Sequence, residues 1–81
     1  MERPRRDYTV WGTVVEERVD RFVVVILAQA LDLHGPEEIL KETTFATNRE
    51  AAKLKMWEMM RGTCARLKAQ GNRVIDVASD L

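Results

Sequence analysis

The chain has 81 residues, with thirteen basic side chains, thirteen acidic ones and a single histidine, for a net charge of zero. That length holds one small domain and excludes a second core; a domain of this size buries only about 60 to 65% of the surface its unfolded chain would expose. Zero net charge removes any general attraction to nucleic acid. The only cysteine, Cys64, cannot form an intrachain bridge and fits a reducing compartment.

Residues 1–7, Met1-Glu2-Arg3-Pro4-Arg5-Arg6-Asp7, are expected to form a flexible basic arm ahead of one α+β domain over 8–81. No apolar signal core follows the arm. The longest apolar run, Phe22 to Ala28, is far shorter than the roughly 20 residues a membrane helix needs. A soluble cytoplasmic protein is the expectation.

Tyr8 to Arg18 alternates as a strand, with Tyr8, Val10, Gly12 and Val14 on one side and Thr9, Trp11, Thr13 and Val15 on the other. Both sides carry apolar bulk. The polar break Glu16-Glu17-Arg18-Val19-Asp20-Arg21 has turn length and predicts a hairpin into a second strand, Phe22 to Leu31. No Asn-Gly or Asp-Gly pair marks this turn, which leaves the register open. The second strand is apolar at successive positions, so it too turns apolar side chains toward both faces of its sheet. It ends at Asp32-Leu33-His34-Gly35-Pro36, where Gly tolerates positive φ and Pro removes an amide from the ladder.

Pro36 to Glu42 reads either as a short helical turn, with Pro at its first position and two acids behind it, or as the approach to a strand over Ile39 to Ala46. Thr43-Thr44-Phe45 favours the strand, which gives a three-stranded antiparallel meander. Thr47-Asn48-Arg49-Glu50 then matches a capping box and predicts a helix from Thr47 to about Gln70, stopped by Gly71-Asn72. Ala52, Met56, Met59, Met60, Thr63 and Leu67 fall on one stripe, flanked by Trp57 and Cys64, with Lys55, Glu58, Gly62 and Arg66 roughly opposite. Lys53 sits near the stripe, where its stem can lie along apolar surface. Arg73 to Ala78 is a short β-prone run that either frays or returns as a fourth strand, the favoured reading; a right-handed crossover through the helix would set it parallel to the third strand, with a place beside the first as one option. The predicted order is β-β-β-α-β, with one long helix packed on one face of the sheet.

One helix about 10 to 12 Å across cannot cover both faces of a sheet about 14 to 19 Å wide. The face away from the helix keeps Trp11 and Val15 with either Val23, Val25 and Leu27 or Phe22, Val24 and Ile26. An apolar patch of this kind marks an interface, and a two-fold homodimer is its simplest closure. The alternative is that residues 33–42 and the C-terminal tail fold over it.

Residue types for catalysis are scarce. His34 stands in a turn with no second imidazole or thiol at ligand spacing, and Cys64 borders the apolar stripe as a buried structural thiol would. Glu16-Glu17 and Glu37-Glu38 are adjacent acids on solvated loops, without the desolvation that separates an acid from a base. The four glycines form no phosphate-cradling motif. The expectation is no enzyme, no cofactor and no metal.

Two functional readings follow. The first is a small protein-interaction module, a homodimer or the binder of a heterologous protein, engaging through Trp11, Val15, Val23, Val25 and Leu27. The second is a nucleic-acid-binding module. Charge is unevenly spread, residues 1–46 carrying six basic and nine acidic groups and residues 47–81 seven and four. Arg3, Arg5 and Arg6 would then act as an arm, with Arg49, Lys53, Lys55, Arg61, Arg66 and Lys68 as a positive helix and Trp11 or Arg21 contacting nucleic acid from the sheet. Three strands followed by a helix opening Thr47-Asn48-Arg49-Glu50-Ala51-Ala52 resemble the arrangement of HicB-like antitoxins and of the arm-binding domains of phage-type integrases, over roughly residues 8–70. Gly35-Pro36 echoes the proline and glycine pattern that HicB-like chains carry before the third strand. The resemblance implies that both readings have precedents on this architecture.

Overall fold

The structure, a computed structural model, describes residues 6–32, 38–45 and 48–79. Four strands and one helix follow in the order β1 (Asp7–Arg18), β2 (Arg21–Ala30), β3 (Glu38–Phe45), α1 (Arg49–Ala69) and β4 (Arg73–Ser79). The strands form one sheet in the order β3-β2-β1-β4. The first three pair antiparallel, and β4 lies parallel to β1. This is the expected α+β meander with one helix on one face and a fourth strand. The helix carries the chain from one edge of the sheet to the other.

Alternation along β1 and β2 decides which side chains meet the helix. Tyr8, Val10 and Val14 of β1 and Phe22, Val24, Ile26, Ala28 and Ala30 of β2 are buried, with Ala52, Met56, Met60 and Leu67 of α1 closing over them. Leu40 of β3 and Val74 of β4 pack at the margins of this cluster. Gly12 is the one position of the buried β1 row without a side chain. A Cβ there would lie 2.5 Å from Met60 Sδ and 3.1 Å from both Ile26 Cδ1 and Met56 Cγ. The glycine is therefore the hollow that seats two methionines against the sheet.

The β1–β2 hairpin turns at Val19-Asp20, and Val19 is almost fully exposed. Among the described residues no non-glycine has positive φ. A primed two-residue turn, whose twist would match the strands, is therefore absent, and the register shift between Glu16 and Arg18 takes up the mismatch.

The helix begins one residue later than the capping box predicts. Asn48, with extended backbone, is the N-cap, and its Oδ1 accepts the Ala51 N–H at 2.9 Å. Thr47 lies outside the described residues, and Glu50 stands in the first turn, where a negative charge favours the helix dipole. At the other end the Asn72 N–H donates to Leu67 O at 3.1 Å and the Gly71 N–H to Lys68 O at 3.0 Å. Gly71 has φ +89°. This pair of bonds is the Schellman arrangement that a glycine permits. The third strand spans Glu38–Phe45 rather than Ile39 to Ala46; Pro36, Glu37 and Ala46 lie outside the described residues.

Ion pairs fix the flanks. Lys55 Nζ lies 3.1 Å from Glu42 Oε1, and Arg66 hydrogen-bonds Glu38, so the helix runs antiparallel to β3 and is clipped to it at two levels. Lys55 and Arg66, expected on the helix's outer side, reach sideways instead, because β3 carries carboxylates on its helix side. Arg73 grips Asp7 through two hydrogen bonds of 2.9 and 2.8 Å, and its N–H donates to Arg6 O. Arg6 and Asp7, expected in the flexible arm, are thus held at the start of β1.

Gly12→Val should destabilise the domain by about 1 to 3 kcal/mol through overpacking. Combining it with Met60→Ala should cost clearly less than the two single losses added together, because the truncated side chain vacates the hollow. Urea unfolding of the four proteins of this cycle measures the coupling.

Candidate interaction surface

The outer face of the sheet is built from the odd-numbered residues of β1, β2 and β3. Strand register lines them up: Trp11 is opposite Leu27, and Leu27 opposite Ile39, giving one apolar row across three strands, with Ala78 of β4 beside Trp11. Toward the hairpin the next rows are Thr13-Val25-Lys41 and Val15-Val23-Thr43. At the opposite end Thr9 pairs with Gln29 and with Asp76. The face is therefore apolar at its centre and toward the hairpin, with a polar frame.

All five side chains singled out from the sequence, Trp11, Val15, Val23, Val25 and Leu27, lie on this face. The odd set of β2 points outward, which settles the parity the sequence left open. Trp11, Val23, Val25 and Leu27 are half-buried, while Val15 and Ile39 are each 51% exposed. Ile39 was missed. Its signal was the alternation Glu38-Ile39-Leu40, which becomes readable only once Leu40 is assigned to the helix side. No element of the described chain lies over this face. Residues 38–42 and 73–79 are strands in the plane of the sheet and do not fold across it, while residues 33–37, 80 and 81 lie outside the described residues.

The residues named for nucleic-acid contact are not gathered. Arg3 and Arg5 lie outside the described residues. Arg6 Nε stands 3.9 Å from Asp32 Oδ2, and Arg21 Nε stands 3.2 Å from Glu17 Oε2. On the helix, Lys55 and Arg66 are taken by β3 carboxylates. The Asp7 carboxylate raises the pKa of Arg73 above its ordinary value through their hydrogen bond and charge. Several cations of the basic half are thus matched by acids of the acidic half across the fold.

Elsewhere, an open cleft of about 270 Å³ lies between the start of β1 and the end of β2, lined by Arg6, Asp7, Leu31 and Asp32. Of its two acids, Asp32 stands beside Arg6 and Asp7 is bonded to Arg73. No group of three potential metal ligands occurs among the described residues, and His34 lies outside them. Cys64 is half-buried beside the core. Burial pushes its thiol up, and the nearby Lys68 charge and a backbone hydrogen bond pull less strongly the other way. Comparison with known protein families, curated proteins and solved structures finds no match. The likeness to HicB-like antitoxins and integrase arm-binding domains accordingly rests on element order alone.

A raised thiol pKa means less thiolate at neutral pH than in an unfolded chain. Cys64 should therefore react with iodoacetamide at pH 7.5 several-fold more slowly than in the urea-unfolded protein, the difference narrowing as the pH climbs past the thiol's own pKa. Mass spectrometry of timed aliquots follows it.

Proposed function

We propose that this chain is a small non-enzymatic protein-interaction module that forms a homodimer through the outer face of its sheet. The observation that carries the reading is the apolar row Trp11-Leu27-Ile39, continued by Val15, Val23 and Val25, on a face that no described element covers. Four strands about 4.8 Å apart and the rows from Thr9 to Val15 at about 3.3 Å per residue make a face about 19 by 23 Å. Two such faces in contact would bury on the order of 1,000 Å² in total, the size at which a specific interface becomes plausible.

A second copy suits this face because the face is self-complementary. Its charged residues stand near opposite edges, Lys41 on β3 and Asp76 on β4. Lys41 is level with Thr13 and Asp76 with Thr9, so a two-fold axis lying in the interface and running diagonally to the strands, with the two sheets crossing at a wide angle, sets Lys41 of each copy toward Asp76 of the other. The molecule's zero net charge leaves no overall repulsion between copies. Nucleic-acid binding has less support, since Arg6, Arg21, Lys55, Arg66 and Arg73 each stand beside a carboxylate. No helix among the described residues is long and apolar enough to cross a membrane.

Light scattering coupled to size exclusion should report a dimer at protein concentrations on the order of 100 μM. Leu27→Asp should give a folded monomer with an unchanged far-ultraviolet spectrum. Val24→Asp, at a fully buried position under the helix, should unfold the chain instead. A wild-type protein that stays monomeric at every concentration removes the proposal.

A further inference from the structure

The two flanks of the helix differ, and the difference points to a second binding surface. On the β3 flank Lys55 and Arg66 are each joined to a carboxylate of the adjacent strand, Glu42 and Glu38, with Leu40 between them against the core. That strand presents acid, apolar, acid at alternate positions to the helix. On the β4 flank the helix carries Lys53 and Lys68, and no carboxylate of the described chain pairs with either. Val74, Val77 and Ser79 of β4 are the partners of Tyr8, Val10 and Gly12, the row that lies beneath the helix, so they share its side of the sheet. Ser79 Oγ reaches Met56 Sδ at 3.6 Å, which confirms the orientation. None of these three is acidic.

The same flank is incompletely covered. Val77 is 43% exposed although it lies on the helix side, and Trp57 on the helix is 37% exposed. β4 is also an edge strand, with its far side unpaired among the described residues. The other edge, β3, carries Glu38, Lys41 and Glu42, charges of the sort that discourage strand addition; on β4 Arg73 is bonded to Asp7 and Asp76 lies on the outer face, so its helix-side residues Val74, Val77 and Ser79 carry no charge.

We infer that the β4 edge, under Trp57 and between Lys53 and Lys68, receives an extended acidic strand from a partner protein, adding a fifth strand to the sheet. Main-chain pairing with β4 supplies the attachment, and alternate side chains of the incoming strand settle on Val77 and Trp57. Charge sets the choice of partner. Lys53 and Lys68 are separated along the helix by about 22 Å at roughly 1.5 Å per residue. Carboxylates six positions apart on a strand span about 20 Å at roughly 3.3 Å per residue. The pattern recognised is thus acidic, apolar, apolar, acidic at alternate positions, an extended version of what β3 offers the opposite flank. This surface is separate from the outer face and does not depend on dimerisation.

The test uses the capped peptide Glu-Thr-Val-Thr-Val-Thr-Glu and its counterpart with Lys at both ends, titrated into the isotope-labelled full chain. The acidic peptide should shift the amide signals of residues 73–79 and the Trp57 indole signal, and should bind roughly ten-fold more tightly than the basic one at low salt. In the chain carrying Lys53→Glu and Lys68→Glu the preference should reverse. Equal affinity for the two peptides, shifts confined to Trp11, Leu27 and Ile39, or no binding by either overturns the inference. So does a Trp57 indole signal that moves with protein concentration in the absence of peptide, since the occupant of the helix-side edge would then be a second copy. The outer-face dimer touches Asp76 and Ala78 but leaves the Trp57 indole on the helix side, so the Trp57 signal separates failure here from failure of the dimer proposal.

Discussion

A pleated strand offers one face only every second side chain, and in β1 and β2 both alternate sets are rich in apolar residues. Everything else in this fold follows from having a single helix to spend on two such faces. The even set lies beneath α1 and is nearly inaccessible: Val24 and Ala30 are wholly buried, and Val10, Ile26 and Ala28 almost so. Over the odd set no element of the described residues lies. A domain this small gains too little from one core to ignore a second apolar surface, since marginal stability is its ordinary condition. Covering the odd set by association would therefore couple folding to assembly, with stability rising as protein concentration rises.

The helix meets the sheet through unusually adaptable side chains. Met56 and Met60 are buried where branched residues would demand a fixed shape, and Gly12 lets both approach the β1 backbone. Thr63 is the only buried polar residue among those described, and its hydroxyl donates to Met59 O one turn back, so it enters the core without an unsatisfied group. Orientation along the sheet is set at the edges. The Lys55 and Arg66 pairs are surface contacts, each modest in energy, but they stand at two levels along β3 and so oppose rotation of the helix across the strands. At the far edge, the double hydrogen bond from Arg73 to Asp7 ties the start of β4 to the start of β1.

How much of this was legible in the sequence depended on how unequal the local alternatives were. The hairpin and the helix were readable because alternation, a capping signal and a Gly-Asn stop each favour one conformation, whereas the short run Arg73 to Ala78 was β-prone but left open between a strand and a frayed end. The helix start slipped by one residue because Thr47 and Asn48 are both good N-caps, and the Glu50 that completes a box with Thr47 is equally welcome in the first turn behind Asn48. The outward set of β2 could not be read, because a hydrophobic pattern fixes parity only where one face is polar. The turn gave no help, since Val19-Asp20 lacks the glycine that would have fixed its geometry. What resolved it was three-dimensional: Gly12 belongs beneath the methionines, and its cross-strand partner Ile26 must then point the same way. Ile39 joined the outer row by the same logic. The sideways reach of Lys55 and Arg66 was equally hidden, because angular position on a helix does not say which neighbouring strand brings an acid.

The two edges of the sheet show that the charge balance of the chain is organised rather than incidental. The acidic half supplies Asp7, Glu38 and Glu42, and the basic half supplies Arg73, Arg66 and Lys55, so these three long-range pairs each join the halves. Pairing of this kind consumes cations that a nucleic-acid surface would need to keep free. It also leaves a remainder. After the β3 flank is satisfied, the unmatched cations Lys53 and Lys68 overhang the one edge strand whose own side chains are mostly apolar. On the helix side, a β3 edge carrying Glu38 and Glu42 and a β4 edge with no charge at Val74, Val77 and Ser79 give the sheet a direction in which it can be extended and one in which it resists extension. That asymmetry is a property of the folded chain, since Glu42 and Lys55, Glu38 and Arg66, or Asp7 and Arg73 meet only on folding, the last pair after the helix has crossed from β3 to β4.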